Sequence, residues 1–249
     1  MMKNNSILIL AAACALALTA CGKKEEKAAD LGVTYSSSPS ASPPDAAPKP
    51  VADSEQKGDP NTPLDQYQEI NSGKQIMYIW LAISRDPMNY EDLAYIISSD
   101  YRRKRDEFKR RDMLAMLKPA IDEEVKKAGS NLYYMMSREG KSLDYLLGKY
   151  DFERKGFPLS VVYEGVEHYF DDAYQYKIKY TNANQFRWID VPDETKARAL
   201  SALKEKEPYV RVELYFYAGN TELGGTTIKA QIMKLRIVHR DTGEVIIEK

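Results

Sequence analysis

The chain has 249 residues, with 36 Lys and Arg against 37 Asp and Glu, for a formal net charge of −1 at pH 7. So even a balance sets up no global field to recruit nucleic acid, and the length suffices for one domain with its own hydrophobic core. Both cysteines, Cys14 and Cys21, lie near the N-terminus, so the rest of the chain offers no disulfide, no cysteine nucleophile and no thiolate metal ligand.

In chain order, residues 1–20 read as a secretion signal. Lys3 supplies a short positive start, residues 7–18 form an uncharged, mostly apolar run, and small residues precede Cys21. The run is shorter than the about 20 apolar residues a membrane-spanning helix takes, and no later stretch is long enough either. The order Leu18-Thr19-Ala20-Cys21 resembles the lipobox of bacterial lipoproteins. That resemblance implies cleavage between Ala20 and Cys21, diacylglycerol on the Cys21 thiol and acylation of the new amine. An anchor with two or three chains holds stably to a membrane, where one chain is marginal. Gly22 stands where an aspartate retains lipoproteins in the inner membrane of enteric bacteria. The resemblance therefore implies a cell-envelope protein at the outer membrane, facing the periplasm.

Residues 21–63 are expected to form a disordered tether. Lys23-Lys24-Glu25-Glu26-Lys27 is a solvated charge cluster, and residues 36–50 are Ser, Pro and Ala with almost nothing large to bury. Some forty residues of flexible coil would average roughly 35–40 Å end to end. Residues 64–249 then make one globular domain.

Ile76, Ile79, Trp80 and Ile83 have the i, i+3, i+4, i+7 spacing of a buried helix face, with Asn71 or Ser72 as cap and Asp86-Pro87 as stop. A second helix is predicted from Asn89, with Glu91 and Asp92 favourable in its first turn. Ala94, Ile97, Tyr101 and Phe108 lie on one stripe, and Leu114, Leu117, Ile121 and Val125 on another. At 100° per residue the second stripe sits roughly 120–150° from the first. One straight helix does not fit both, so the chain either breaks near Arg111-Asp112 or starts a further helix at Pro119, and Gly129 is the expected stop. Between the stripes run Arg102-Arg103-Lys104-Arg105 and Lys109-Arg110-Arg111. One reading makes Arg102, Arg103, Arg105, Lys109 and Arg110 an anion-binding patch for lipopolysaccharide, phospholipid headgroups or teichoic-type polymers. The other makes them the solvated face of a narrow-striped helix, with Asp106, Glu107 and Asp112 among them.

From Asn131 the period changes to two. Tyr174, Tyr176, Ile178 and Tyr180 predict a half-buried strand, paired with residues 159–169 through a turn near Asp171-Asp172. Residues 193–206 read as a helix with Ala197, Leu200 and Leu203 inward, and Val210, Val212, Leu214 and Phe216 alternate again. Gly219-Asn220 and Gly224-Gly225 mark a loop. Residues 228–239 form a long strand whose apolar set moves from Ile228, Ala230 and Ile232 to Met233, Leu235 and Ile237, which predicts a bulge. Asp241-Thr242-Gly243 turns into a last strand. The fold class is α+β, with N-terminal helices packed on a mostly antiparallel β-sheet. With Tyr150-Asp151-Phe152 and Gly156-Phe157-Pro158 at the junction of the halves, this layout resembles a family of bacterial envelope lipoproteins defined only as a domain of unknown function. The resemblance implies no activity.

Candidate chemistry is sparse. Asp241-Thr242-Gly243 matches the aspartic-protease triplet but has no symmetry mate, and Ser201-Ala202-Leu203-Lys204 lacks the companion motifs of penicillin-binding enzymes. Glu164, His168, Asp171 and Asp172 would converge on a metal only if their segment were helical, whereas a strand and turn split them. Of the tyrosines in predicted strands (Tyr163, Tyr169, Tyr174, Tyr176, Tyr180, Tyr215 and Tyr217), Tyr215 and Tyr217 oppose the apolar face and are the surface candidates for stacking on glycan rings. The sequence thus points to a non-catalytic binding module with no cofactor and no metal, tethered by Cys21, with an envelope protein or glycan as partner and no nucleic acid. A cell-wall hydrolase using unplaced carboxylates and a structural subunit of an envelope complex remain the alternatives.

Overall fold

Serine at position 72 and glutamine three residues on start the first helix, α1 (Gly73–Ser84), through a reciprocal capping box. The computed structural model describes residues 57–249. Ala20, Cys21 and most of the expected tether lie outside that range. Helix α1 buries Ile76, Met77, Ile79 and Trp80 and ends at Arg85 in the left-handed region. Asn89 caps α2 (Tyr90–Ile97) by accepting from the N–H groups of Glu91 and Asp92.

The helix break falls earlier than the stripes predict. Ser98 stops α2 and caps α3 (Ser99–Arg103), and Asp106 caps α4 (Glu107–Ser130) by accepting from Lys109 N. Helix α4 runs straight through Arg111-Asp112, Pro119 and Gly129. Pro119 lacks the N–H that would bond Ala115, and surface exposure leaves that carbonyl to water. Only Ile121 and Ala128 of α4 are buried, and Phe108 is left exposed because the α3–α4 elbow turns its stripe away from the core.

The remaining elements are β1 (Gln68–Glu69), β2 (Tyr133–Ser142), α5 (Leu143–Leu146), β3 (Gly156–Pro158), β4 (Glu167–His168), β5 (Lys177–Tyr180), β6 (Trp188–Asp190), α6 (Glu194–Glu205), β7 (Tyr209–Thr221), β8 (Thr227–His239) and β9 (Val245–Glu248). Seven of the strands form one sheet in the order β1-β2-β7-β8-β5-β4, with β9 alongside the second half of β8. Only β1–β2 and β5–β8 are parallel, so the domain is α+β with a mostly antiparallel sheet. A separate β3–β6 pair is antiparallel. Across β7–β8, Tyr215 faces Lys234 while Phe216 faces Ile232, so Met233 is the extra residue of the predicted bulge.

Several strand predictions contract. The strand expected at residues 174–180 begins only at Lys177, its partner shrinks to Glu167–His168, and Asp171–Ala173 is a 3-10 turn rather than a hairpin tip. Tyr163, Tyr169 and Tyr174 therefore stand outside strands and are exposed. Gly219 and Asn220 lie inside β7 at a second register shift, and the reversal uses Gly224 at φ +70°.

One face of the sheet, the inner face, carries Val210, Val212, Leu214 and Phe216 of β7, Ile228, Ala230, Ile232, Leu235 and Ile237 of β8, and Tyr134 and Met136 of β2. These belong to one hydrophobic cluster that also holds the buried residues of α1. The opposite, outer face is covered by the segment leading into β1. Gly58 lies against Tyr217 and Met233, the N–H of Asp59 donates to the Tyr133 hydroxyl at 2.7 Å, and Tyr67 packs on Tyr133 and Tyr215. Residues 57–63, assigned to the tether from composition, thus make specific contacts with the domain.

Candidate functional site

Alternation along β2 places Tyr134, Met136 and Arg138 on the inner face, so an arginine occupies the third inward position of an otherwise apolar row. Arg138 Nη2 donates to His168 Nδ1 at 2.5 Å. His168 is on β4, four strand steps from β2. At about 4.8 Å per step a flat sheet would separate them by roughly 19 Å, so the sheet must curl to bring its flanks together over the inner face.

Arginine has donors only, so Nδ1 is the acceptor and the imidazole proton sits on Nε2. His168 is 4 % exposed, and burial, reinforced by the Arg138 charge, lowers its pKa from 6.5 to about 4. The ring is therefore neutral at pH 7 while Arg138 stays charged. His168 stacks beside Tyr180, 5.0 Å between centroids, and Tyr180 is fully buried with its hydroxyl pKa pushed up by desolvation. Neither His168 Nε2 nor the Tyr180 hydroxyl has a hydrogen-bond partner among the described residues. Arg138 itself is exposed and forms no ion pair among them.

A cavity of about 290 Å³ opens beside this group. Its walls are Leu146, Val161, Val212 and Leu214, Ser160 and His168 line it further, and Glu139 and Lys141 stand with Arg138 at its polar side. Such a volume and lining fall at the lower end of small-molecule sites, roughly 300–1,000 Å³.

The residues singled out from sequence fare differently. Tyr215 is not a surface residue: it is 6 % exposed, because Tyr67 closes over it with ring centroids 5.2 Å apart. Its hydroxyl donates to Glu213 Oε2 at 2.9 Å, and Glu213 also takes Arg211 at 2.9 Å and Arg236 at 3.4 Å. Desolvation raises the Tyr215 pKa. Tyr217 stays half-buried and lines a polar recess of about 300 Å³ with Lys57, Gln185, Lys229 and Gln231.

The basic residues gather at the α3–α4 elbow but are interleaved with acids. Arg103 pairs with Asp100 at 2.7 Å and Lys109 with Asp106 at 3.9 Å. Arg102 and Arg110 lie over the rings of Tyr95 and Tyr101, at 5.8 and 5.0 Å, while Arg105 is exposed with no ion pair among the described residues. Glu164, His168, Asp171 and Asp172 do not converge: Asp172 instead accepts from Gly73 N at 2.6 Å and caps α1. Among the described residues no group of three or more His, Cys, Asp or Glu is placed to hold a metal ion. Sequence reasoning passed over Arg138, although a charge at an inward position of β2 is a readable signal.

No family model, no curated protein and no solved structure matches this chain.

Proposed function

We propose that the protein is a lipoprotein of the bacterial cell envelope, cleaved between Ala20 and Cys21 and anchored through Cys21 at the outer membrane, facing the periplasm. Its domain is a non-catalytic binding module whose helical first half forms a layer over the inner face of the sheet. The lipobox order supports the anchor, and the cluster shared by α1 and the sheet supports the layering. The observation that carries the binding role is the recess beside Tyr217. Around Tyr217, whose ring packs on Tyr133 with centroids 5.2 Å apart, Gln185, Gln231 and Lys229 present several hydrogen-bonding groups, a lining suited to the hydroxyls of a neutral or anionic wall glycan.

The test combines fractionation of cells with sedimentation on purified sacculi. The full chain should fractionate with membranes and Cys21→Ser should release it. The full chain should sediment with purified sacculi, and Tyr217→Ala with Gln231→Ala should weaken that retention at least tenfold. Sedimentation unchanged by those substitutions would remove the glycan reading. A single protein recovered by crosslinking through a C-terminal tag would replace the glycan with a protein partner, and release of wall fragments would make the protein a hydrolase.

A further inference from the structure

We propose that the cavity between β2, β7, β4 and residues 160–161 binds a small monocarboxylate with a branched apolar body, its head on the Arg138 guanidinium and its body against Leu146, Val161, Val212 and Leu214. This site is separate from the Tyr217 recess and does not depend on the anchor.

Arg138 is exposed and without an ion pair among the described residues, yet it is not loose, because His168 fixes Nη2 from below. Its other N–H groups make no hydrogen bond to the described residues. A guanidinium held on one side and open on the other presents a fixed fork, the geometry that carboxylates accept bidentately. Its holder is a neutral ring, so the pair carries one positive charge. The charges at the rim do not alter that count, since Glu139 and Lys141 oppose each other and the Lys141 ammonium is drawn over the Tyr145 ring at 4.3 Å. A single carboxylate balances this charge, whereas a phosphate dianion brings one charge more than the site meets. The remaining walls are methyl-rich, and burial there favours an apolar body at about 25 cal/mol per Å² removed from water.

The experiment is calorimetric titration of the full chain with sodium 3-methylbutanoate. The comparison ligands are 3-methylbutan-1-ol and 3-methylbutan-1-amine, which share the body but not the head, and inorganic phosphate, which is anionic but has no apolar body. The carboxylate should bind at least tenfold more tightly than any of the three. Arg138→Gln should remove that preference and leave the alcohol unchanged, and Arg138→Lys should keep only part of it. Ser160→Phe, placed at the lining and away from Arg138, should exclude acid and alcohol together, with circular dichroism confirming that each variant is folded. No binding of 3-methylbutanoate at 20 mM, equal affinity for acid and alcohol, tighter binding of phosphate, or an unchanged Arg138→Gln would each overturn the proposal. Loss of sacculus binding leaves this result standing, and failure here leaves the envelope reading standing.

Discussion

Arg138 on β2 donates to His168 on β4 across a sheet in which β7, β8 and β5 stand between those two strands. The contact ties both flanks of the sheet together and fixes which ring nitrogen carries the proton, while burial, reinforced by the Arg138 charge, keeps the ring neutral.

Stability should therefore fall with acid in a defined window. The folded pKa of His168, about 4, lies below the unfolded value of 6.5, so between these pH values the unfolded chain holds a proton that the native ring refuses. The contribution is intact above pH 6.5 and is lost progressively as pH falls to about 4. At about 1.4 kcal/mol per unit the full loss is about 3 kcal/mol. His168→Gln should flatten the slope of unfolding free energy in that window, measured by urea melts at half-unit intervals. An unchanged slope would assign the acid sensitivity to other groups.

Tyr67→Ala should open the outer face. The ring meets both Tyr133 and Tyr215 edge-on, and its loss should cost about 1–3 kcal/mol, less than a full core truncation because Tyr67 is half-buried. Hydrogen exchange at residues 213–217 should accelerate more than the global loss explains.

Glu213→Ala should destabilise more than Glu213→Gln. The carboxylate side chain is 8 % exposed between Arg211 and Arg236, which are themselves 31 % and 21 % exposed. Partial solvation of the arginines, and the second partner that Arg236 has in Glu248, hold the cost to about 1–3 kcal/mol. Paired denaturant melts of the two variants decide the order, and equal values would assign the whole loss to the charge, which both substitutions remove.

Asp172→Ala should loosen the start of α1 without disturbing any metal chemistry. The aspartate accepts from Gly73 N at 2.6 Å at the positive end of the helix dipole. Because Ser72 and Gln75 already cap the same helix, the loss should stay near 0.5–1.5 kcal/mol, roughly the range of a single cap. Thermal melts with and without added divalent ions check both parts.

Gly156→Ala should be the most damaging small substitution. An added Cβ would press far inside contact distance on the Ile189 carbonyl and on the Trp188 ring. The Ile189 carbonyl is backbone of β6 and cannot give way without parting β3 from β6. Loss of soluble folded protein, or a melting point lowered by more than about 5 °C, is expected.

What was legible in the sequence was local. The stripe at Ile76, Ile79 and Trp80, its Ser72 cap and the Met233 bulge follow from residues within a few positions of one another. The helix breaks at Ser98 and Asp106 were signalled by cap residues, but Tyr101 and Phe108 continued the stripe in register and hid them. Tyr215 could not be read, because alternation along β7 assigns it to the face opposite Phe216 and says nothing of Tyr67 far up the chain. The Arg138–His168 contact was illegible for a similar reason: it depends on how far the sheet curls, and that is fixed by packing over the inner face.

Every line of pairing in the main sheet terminates on the hairpin of β7 and β8: β1 reaches it through β2, β4 through β5, and β9 directly. That hairpin lies at residues 209–239, so β1, β2, β4 and β5 are all made before the two strands on which their lines of pairing meet. Short pairs such as β4 with β5 can form early, but the sheet has no centre until the hairpin is present. A chain cut short before Tyr209 should therefore be degraded rather than persist as a smaller working protein.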